Sequence, residues 1–302
     1  MTAKGTDSKT AWENPLIPNA RLRQIYVAMM QARSLARVVP ARRRSNATLG
    51  IEACLVSPAV DLGAGDLVSD APGGGVIEFL RGAMLVEVIG SGKITRRRNV
   101  TADCGEAARL PEAPGVTERI WAALGAAAAL KAASARIKVE AKAAANEAKQ
   151  PGVVVVYASP GEATTAVWQK TLTFAREKQL PVLFVILPSM PRKGSSAKAA
   201  GLSALAILCG VPGIAVDADD AVALYRVAQE SIGHARIGGG PALMECVPFV
   251  FQTTESKRRP ATDAITVLEH YLLQRGVASR AWIEREAKSF AKRAGVERAA
   301  SK

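Results

Sequence analysis

The chain has 302 residues, 49% of them hydrophobic, and a formal net charge of +13 at pH 7. That length and apolar share are ample for one large α/β domain, and no apolar run reaches the roughly 18 residues that a membrane span requires. Aromatics make up only 5% and do not interleave with the basic runs, and no nucleic-acid-binding signature appears, so neither a membrane nor a specific nucleic acid is expected as a partner.

The first ten residues are polar with no apolar core, so no secretory signal is expected there. Residues 1–19 read as a polar segment ahead of a single domain over 20–298. Helices are predicted over 20–36 and 76–87, followed by a long alanine-rich helix over 116–149 that runs from packed to charged sequence. Strands are predicted at 153–157, 181–187, 213–216 and 242–247, separated by helices over 164–178, 197–209 and 221–235. Two more helices close the chain, over 263–275 and 281–294. This alternation argues for an α/β fold, a doubly wound, mostly parallel sheet flanked by helices.

The basic residues are clustered. Arg21, Arg23, Arg33, Arg37 and the run Arg42-Arg43-Arg44 form one group, Arg96-Arg97-Arg98 a second and Lys257-Arg258-Arg259 a third. Solvated faces, an acidic partner or weak polyanion attraction are the readings for these. Cys54, Cys104, Cys209 and Cys246 have no close pairing, which supports neither a zinc site nor a redox pair and points to a reduced, cytoplasmic compartment. Cys209 and Cys246 read as buried thiols. Gly90-Ser91-Gly92-Lys93 lacks the spacing of a phosphate loop and reads as a turn.

The stretch from Val153 to Ser189 carries the most chemistry. A β-branched run, Val153 to Val156, suits a parallel strand covered on both faces. An amphipathic segment with Val167, Trp168, Leu172 and Ala175 follows, then a second apolar run from Pro181 to Leu187. This is a βαβ unit, and its tight turn sits where a helix start aims unpaired N–H groups and a positive dipole end above the strand.

These residues resemble the core of the alpha subunit of the thiamine-diphosphate-dependent 2-oxoacid dehydrogenases. Ser159-Pro160-Gly161-Glu162 fall on that family's G-D-G-A, and Leu180-Pro181-Val182-Leu183-Phe184-Val185 on its L-P-V-x-F-V. Gly50-Ile51-Glu52-Ala53 is similar to G-Q-E-A, and the segment from Asp66 to Arg81-Gly82 to the D-x-V stretch that ends in R-G. Leu124 to Lys131 resembles I-G-A-A-L-A-L-K, Gly210-Val211-Pro212-Gly213 with Val216-Asp217 resembles G-I-P-G followed by V-D, and Gly238 to Glu245 resembles R-G-x-G-P-T-L-I-E. The resemblance covers roughly residues 20 to 290. It implies a thiamine-diphosphate-binding fold, thiamine diphosphate with magnesium as cofactor, and a beta-type subunit or self-association.

Carried over position by position, the family's ligands are largely replaced. Its two magnesium ligands in this subunit fall on Pro160 and Ser189, the Tyr-Arg pair on the diphosphate falls on Pro72 and Gly73, and a nearby His on Gly75. The His of the phosphorylation loop falls on Thr254, and His234 and His270 lie on predicted helices away from these motifs. The positions left for cofactor binding are Ser159, Gly161, Glu162 and Ser189, with no catalytic residue and no metal ligand assigned. Glu162 has two readings: an acid that reaches a cation, or one that stabilises the first turn of its own helix through the dipole. The departures favour a cofactor-impaired homologue acting as a structural or regulatory subunit. The alternatives are an active subunit that decarboxylates a 2-oxoacid together with a beta subunit, and a binder of anionic ligands or polyanions on a reused scaffold.

Overall fold

A computed structural model describes residues 16–38, 50–69, 77, 108–110, 115–144, 150–159, 161–188, 201–248 and 263–300. The order of elements is α1 (Asn19–Val38), α2 (Glu52–Val56), β1 (Leu67–Val68), β2 (Ala108–Arg109), α3 (Val116–Ala144), β3 (Val154–Ala158), α4 (Thr165–Glu177) and β4 (Val182–Ile186). The chain continues through α5 (Leu202–Leu208), β5 (Gly213–Asp217), α6 (Ala221–Arg236), β6 (Ala242–Val247), α7 (Ala264–Gln274) and α8 (Arg280–Ala300).

All strands pair in parallel, in the order β2-β1-β3-β4-β6-β5. Both central strands are buried along their whole length, which is why they read as unbroken Val, Leu, Phe and Ile runs instead of alternating ones. Their side chains divide strictly by parity. Val153, Val155 and Tyr157 join Leu183 and Val185 in one core, packed under α1, α2, α6, α7 and α8. Val154, Val156 and Ala158 join Val182, Phe184 and Ile186 in the other, under α3, α4 and α5. Trp168 of α4 anchors this second core, meeting the Phe184 ring edge-on at 5.8 Å.

The predicted strands and helices are present at nearly the expected bounds. Helix α8 runs to Ala300, beyond the predicted end. Residues 145–149 and 189–200, and all of the predicted helix over 76–87 except Ile77, lie outside the described residues. Three elements were not expected: α2, β1 and β2, the last two only two residues long. Cys246 and Cys54 are buried, but Cys209 is half-buried instead of buried. It is the C-cap of the short α5, next to the exposed Leu208. The Cys54 thiol is held well above the ordinary thiol range by its hydrogen bond with Cys246 and by burial.

Part of the N-terminal basic cluster is structural. Arg21 pairs with Asp61 at 2.7 Å, and Arg23 Nη1 donates to the Val277 carbonyl at 3.0 Å. Arg33 on α1 donates through Nε and Nη2 to Glu52 at 2.9 and 3.0 Å, and through Nη1 and Nη2 to Asp263. Arg37, Arg42 to Arg44, Arg96 to Arg98 and Lys257 to Arg259 have side chains outside the described ones.

Arg33 pulls the Asp263 carboxyl from its ordinary 3.8 down to about 2, with Thr266 assisting. A depressed folded-state value stabilises the protein above the unfolded pKa, and the gain fades as pH falls through the folded one. The Asp263 side chain is 38% exposed, so solvent screening limits the effect to about 1 kcal/mol. In urea unfolding at a series of pH values, the stability gap between the protein and Asp263→Asn is therefore expected above pH 4, closing toward pH 2. A gap that persists unchanged at pH 2 assigns it to something other than this carboxylate.

Candidate functional site

In a doubly wound sheet, ligands bind outside the carboxyl ends of the strands where the strand order reverses. Here the chain leaves β1 toward β2 on one side, while β3 lies on the other side of β1 and leads to β4. The crevice is therefore bounded by Ser69, just after β1, and Ser159, just after β3. The two strands are held close at their entry as well: a Cβ on Gly152 would lie 2.1 Å from the Gly65 carbonyl oxygen, so only glycine fits there.

After β3 the chain turns sharply. The Glu162 amide donates to the Ser159 carbonyl at 3.2 Å, and Gly161 has φ +82. A bond that closes over three residues, with the positive φ on a glycine, makes a tight turn that a side chain at that glycine would strain. The turn swings the Glu162 side chain back over the strand end, where its Oε2 accepts the Ser159 amide at 2.9 Å. The same oxygen accepts from Arg119 Nη2 at 3.1 Å. Helix α4 begins only afterwards, with Thr164 as N-cap accepting the Val167 amide at 3.3 Å, and it has no acid in its first turn.

Arg119 stands in the first turn of α3 and reaches across the crevice. Its Nη1 donates to the Tyr157 carbonyl at 2.6 Å and lies 3.4 Å from Ser69 Oγ. The Arg119 side chain is 12% exposed and that of Glu162 28%. Tyr157 itself is fixed from the other face, its buried hydroxyl donating to the Leu55 carbonyl at 2.8 Å. One guanidinium thus ties together the ends of β1 and β3 and the turn that follows β3.

The residues expected from sequence are only partly brought together. Ser159, Gly161 and Glu162 share the turn, whereas Ser189, like Pro160, Pro72, Gly73, Gly75 and Thr254, lies outside the described residues. His234 and His270 are on α6 and α7. The reading of Glu162 as a helix-dipole acid is corrected: it stands before the N-cap of α4, outside the helix's first turn, and its carboxylate meets Arg119. Arg119 was missed altogether. The available signals were an arginine one residue before the apolar face of α3, and the Ser-Pro-Gly-Glu turn pattern.

Among the described residues, the turn leaves a magnesium diphosphate no unpaired carboxylate. The carboxylate closest to the turn is neutralised by Arg119, and its Oε2 is saturated by the Ser159 amide. Among the described residues no group of three or more His, Cys, Asp or Glu is arranged to hold a metal ion. The arrangement does fit the binding of one carboxylate oxygen, which the chain supplies itself.

At the neighbouring strand end, Glu245 of β6 accepts the Leu202 and Ser203 amides at 3.1 and 2.8 Å and the Ser203 hydroxyl at 2.6 Å. It is a buried cap for α5, not a free acid.

Residues 47–302 match the family model described as the Dehydrogenase E1 component. The chain is 29% identical over 157 residues to the pyruvate dehydrogenase E1 component subunit alpha-3, chloroplastic, of Oryza sativa subsp. japonica, covering 47% of this chain and 36% of that protein. It is 26% identical over 150 residues to a pyruvate dehydrogenase E1 component subunit alpha of Mycoplasma genitalium, covering 44% and 42%. A Staphylococcus aureus protein of the same description is 33% identical over 102 residues, covering 32% and 27%. The matched stretches thus span less than half the length of these relatives. With a parallel sheet flanked by helices on both faces and a family match over most of its length, the chain belongs to the Dehydrogenase E1 component family.

Proposed function

We propose that this chain is an alpha-type subunit of a 2-oxoacid dehydrogenase assembly that keeps the fold and a partner-facing surface but does not hold thiamine diphosphate, and so acts as a structural or regulatory subunit. The observation that carries this reading is the closure of the β1–β3 crevice by the chain's own Arg119 and Glu162. Magnitudes support it. A charge-assisted hydrogen bond contributes about 1.5–3 kcal/mol, and each 1.4 kcal/mol is tenfold in affinity. Losing an arginine, a tyrosine and a metal ligand therefore weakens the cofactor by roughly three orders of magnitude, taking micromolar affinity to millimolar.

A subunit role also accords with the exposed face of the second layer. Trp121 of α3 and Phe174 of α4 meet with ring centroids 6.0 Å apart while remaining 41% and 36% exposed. On α3, the exposed positions between Glu118 and Lys131 are apolar or glycine, and Leu208 of α5 is 84% exposed. Exposed aromatic and aliphatic groups of this size mark contact surfaces. The net charge of +13 opposes pairing with a second copy and favours an acidic partner. No described helix is long and apolar enough to cross a membrane.

Titration calorimetry with thiamine diphosphate and Mg²⁺, on the chain alone and mixed with a beta-type subunit, tests the reading. The expected dissociation constant is about 1 mM or weaker in both cases. Micromolar binding overturns the cofactor-impaired reading in favour of an active subunit. A chain that stays monomeric by light scattering in the presence of the beta-type subunit overturns the subunit role.

A further inference from the structure

We propose that Glu162 is a built-in ligand: its carboxylate fills an oxyanion site, formed by the Arg119 guanidinium and the Ser159 amide at the mouth of the β1–β3 crevice, which takes a small carboxylate or phosphate once that side chain is gone. This rests on the reading that the turn does not hold a cofactor diphosphate, and adds what holds its donors instead.

Two donors from separate elements converge on one oxygen atom. The Ser159 amide comes from the end of β3 and the Arg119 Nη2 from α3, at 2.9 and 3.1 Å from Glu162 Oε2. A planar guanidinium and a backbone N–H aimed at one point recognise an oxyanion of any parent molecule. The site is also prepared independently of its occupant. Arg119 is anchored by the Tyr157 carbonyl at 2.6 Å and is only 12% exposed, so it stays over the strand end when the carboxylate leaves. An already ordered cationic group loses little freedom on binding an anion.

Glu162 is suited to being an occupant and not a support. It precedes the N-cap of α4, sits on a tight turn and is 28% exposed, so its carboxylate can leave by rotating its own torsions without unwinding a helix. Tethering explains why free anions do not displace it. A ligand on a short tether presents a millimolar or higher effective concentration, and a single-oxygen oxyanion site of this kind does not bind free anions tightly enough to compete.

The test is Glu162→Ala, titrated at constant ionic strength against a chloride background with formate in one arm and inorganic phosphate in the other. Binding is read by calorimetry and by the thermal midpoint. At least a tenfold gain in affinity over the unsubstituted chain is expected for one or both anions, the size of one charge-assisted hydrogen bond released to an external ligand. Response to formate alone identifies a carboxylate site, and response to phosphate alone a phosphate site; either supports the proposal. The gain must vanish in Glu162→Ala/Arg119→Met, and a gain that survives there places the anion elsewhere and overturns it. A folded Glu162→Ala that responds to neither anion beyond chloride also overturns it. Should Glu162→Ala fail to fold, Glu162→Gln, which keeps the shape without the charge, is expected to gain about threefold, and no gain is a refutation. Micromolar thiamine diphosphate binding by the unsubstituted chain would defeat the proposed function; an unresponsive variant beside a chain that does not bind the cofactor defeats only this inference.

Discussion

Arg33→Met is expected to lower the unfolding free energy by about 3–5 kcal/mol, the range for removing one partner of a buried ion pair. Glu52 is fully buried, and Arg33 meets both of its carboxylate oxygens at 2.9 and 3.0 Å. Without the guanidinium, Glu52 keeps, among the described residues, the Gly50 amide, which it accepts at 3.1 Å. A buried carboxylate left without its charge partner carries its desolvation cost uncompensated. Asp263 loses a partner too, but at 38% exposure it falls back on solvent. The double replacement Arg33→Met/Glu52→Gln removes both charges and is expected to recover a large part of the loss, since a neutral pair of similar shape has no uncompensated charge. Urea unfolding with m-values checks both variants. A single variant within about 1 kcal/mol of the parent would show that Glu52 is already neutral or hydrated, and that α1, α2 and the start of α7 are not joined electrostatically.

Which features the sequence discloses follows from how each is encoded. The β3-α4-β4 unit is legible because its strands are buried on both faces, and that demand fills Val153 to Val156 and Val182 to Ile186 with apolar residues. Helix α4 is legible because its buried positions, Trp168, Thr171, Leu172 and Ala175, fall on one face. In contrast, β1 and β2 are two residues each, too short for any period to register; β1 is a strand through its pairing with the edge of β3, and β2 through its pairing with β1. The five residues of α2 are all buried, Glu52 included, so no polar face marks it as amphipathic.

The candidate site divides in the same way. Ser159, Gly161 and Glu162 are neighbours in sequence and were found together. Arg119 is separated from Glu162 by 43 positions, and only the packing of α3 on the sheet brings it to the strand end. That Pro160, Pro72 and Gly73 stand at the family's ligand positions is an expectation from the resemblance, and these residues lie outside the described ones. The Arg119–Glu162 pair could not be read from sequence, because an ion pair across the fold leaves no local pattern.

Asp66→Ala is expected to cost about 3–5 kcal/mol, as one partner of a buried pair is removed and its donors are stranded. Asp66 is buried and lies immediately before β1. It accepts the Val153 amide at 2.9 Å, the Gly63 amide at 2.7 Å and Arg236 Nη2 at 2.7 Å. One carboxylate therefore joins the entry of β1 to the entry of β3 and both to the end of α6. Alanine leaves two backbone N–H groups and a guanidinium that keeps, among the described residues, the Pro151 carbonyl at 3.2 Å. Asp66→Asn retains an acceptor oxygen and is expected to lose less, about 1–3 kcal/mol, for the missing charge. Asp66 stands at the entry of the strands and Glu162 at their exit, so the effects of Asp66→Asn and Glu162→Ala on stability should add to within about 0.5 kcal/mol. Coupling beyond that would mean that β1 and β3 shift as one body, and that the crevice is set by the spacing of the strands and not only by the residues at its mouth. Additivity, measured by urea unfolding of the two single variants and the double, instead makes the Arg119–Glu162 closure a local device, built on a scaffold that holds its shape whether or not the site is filled.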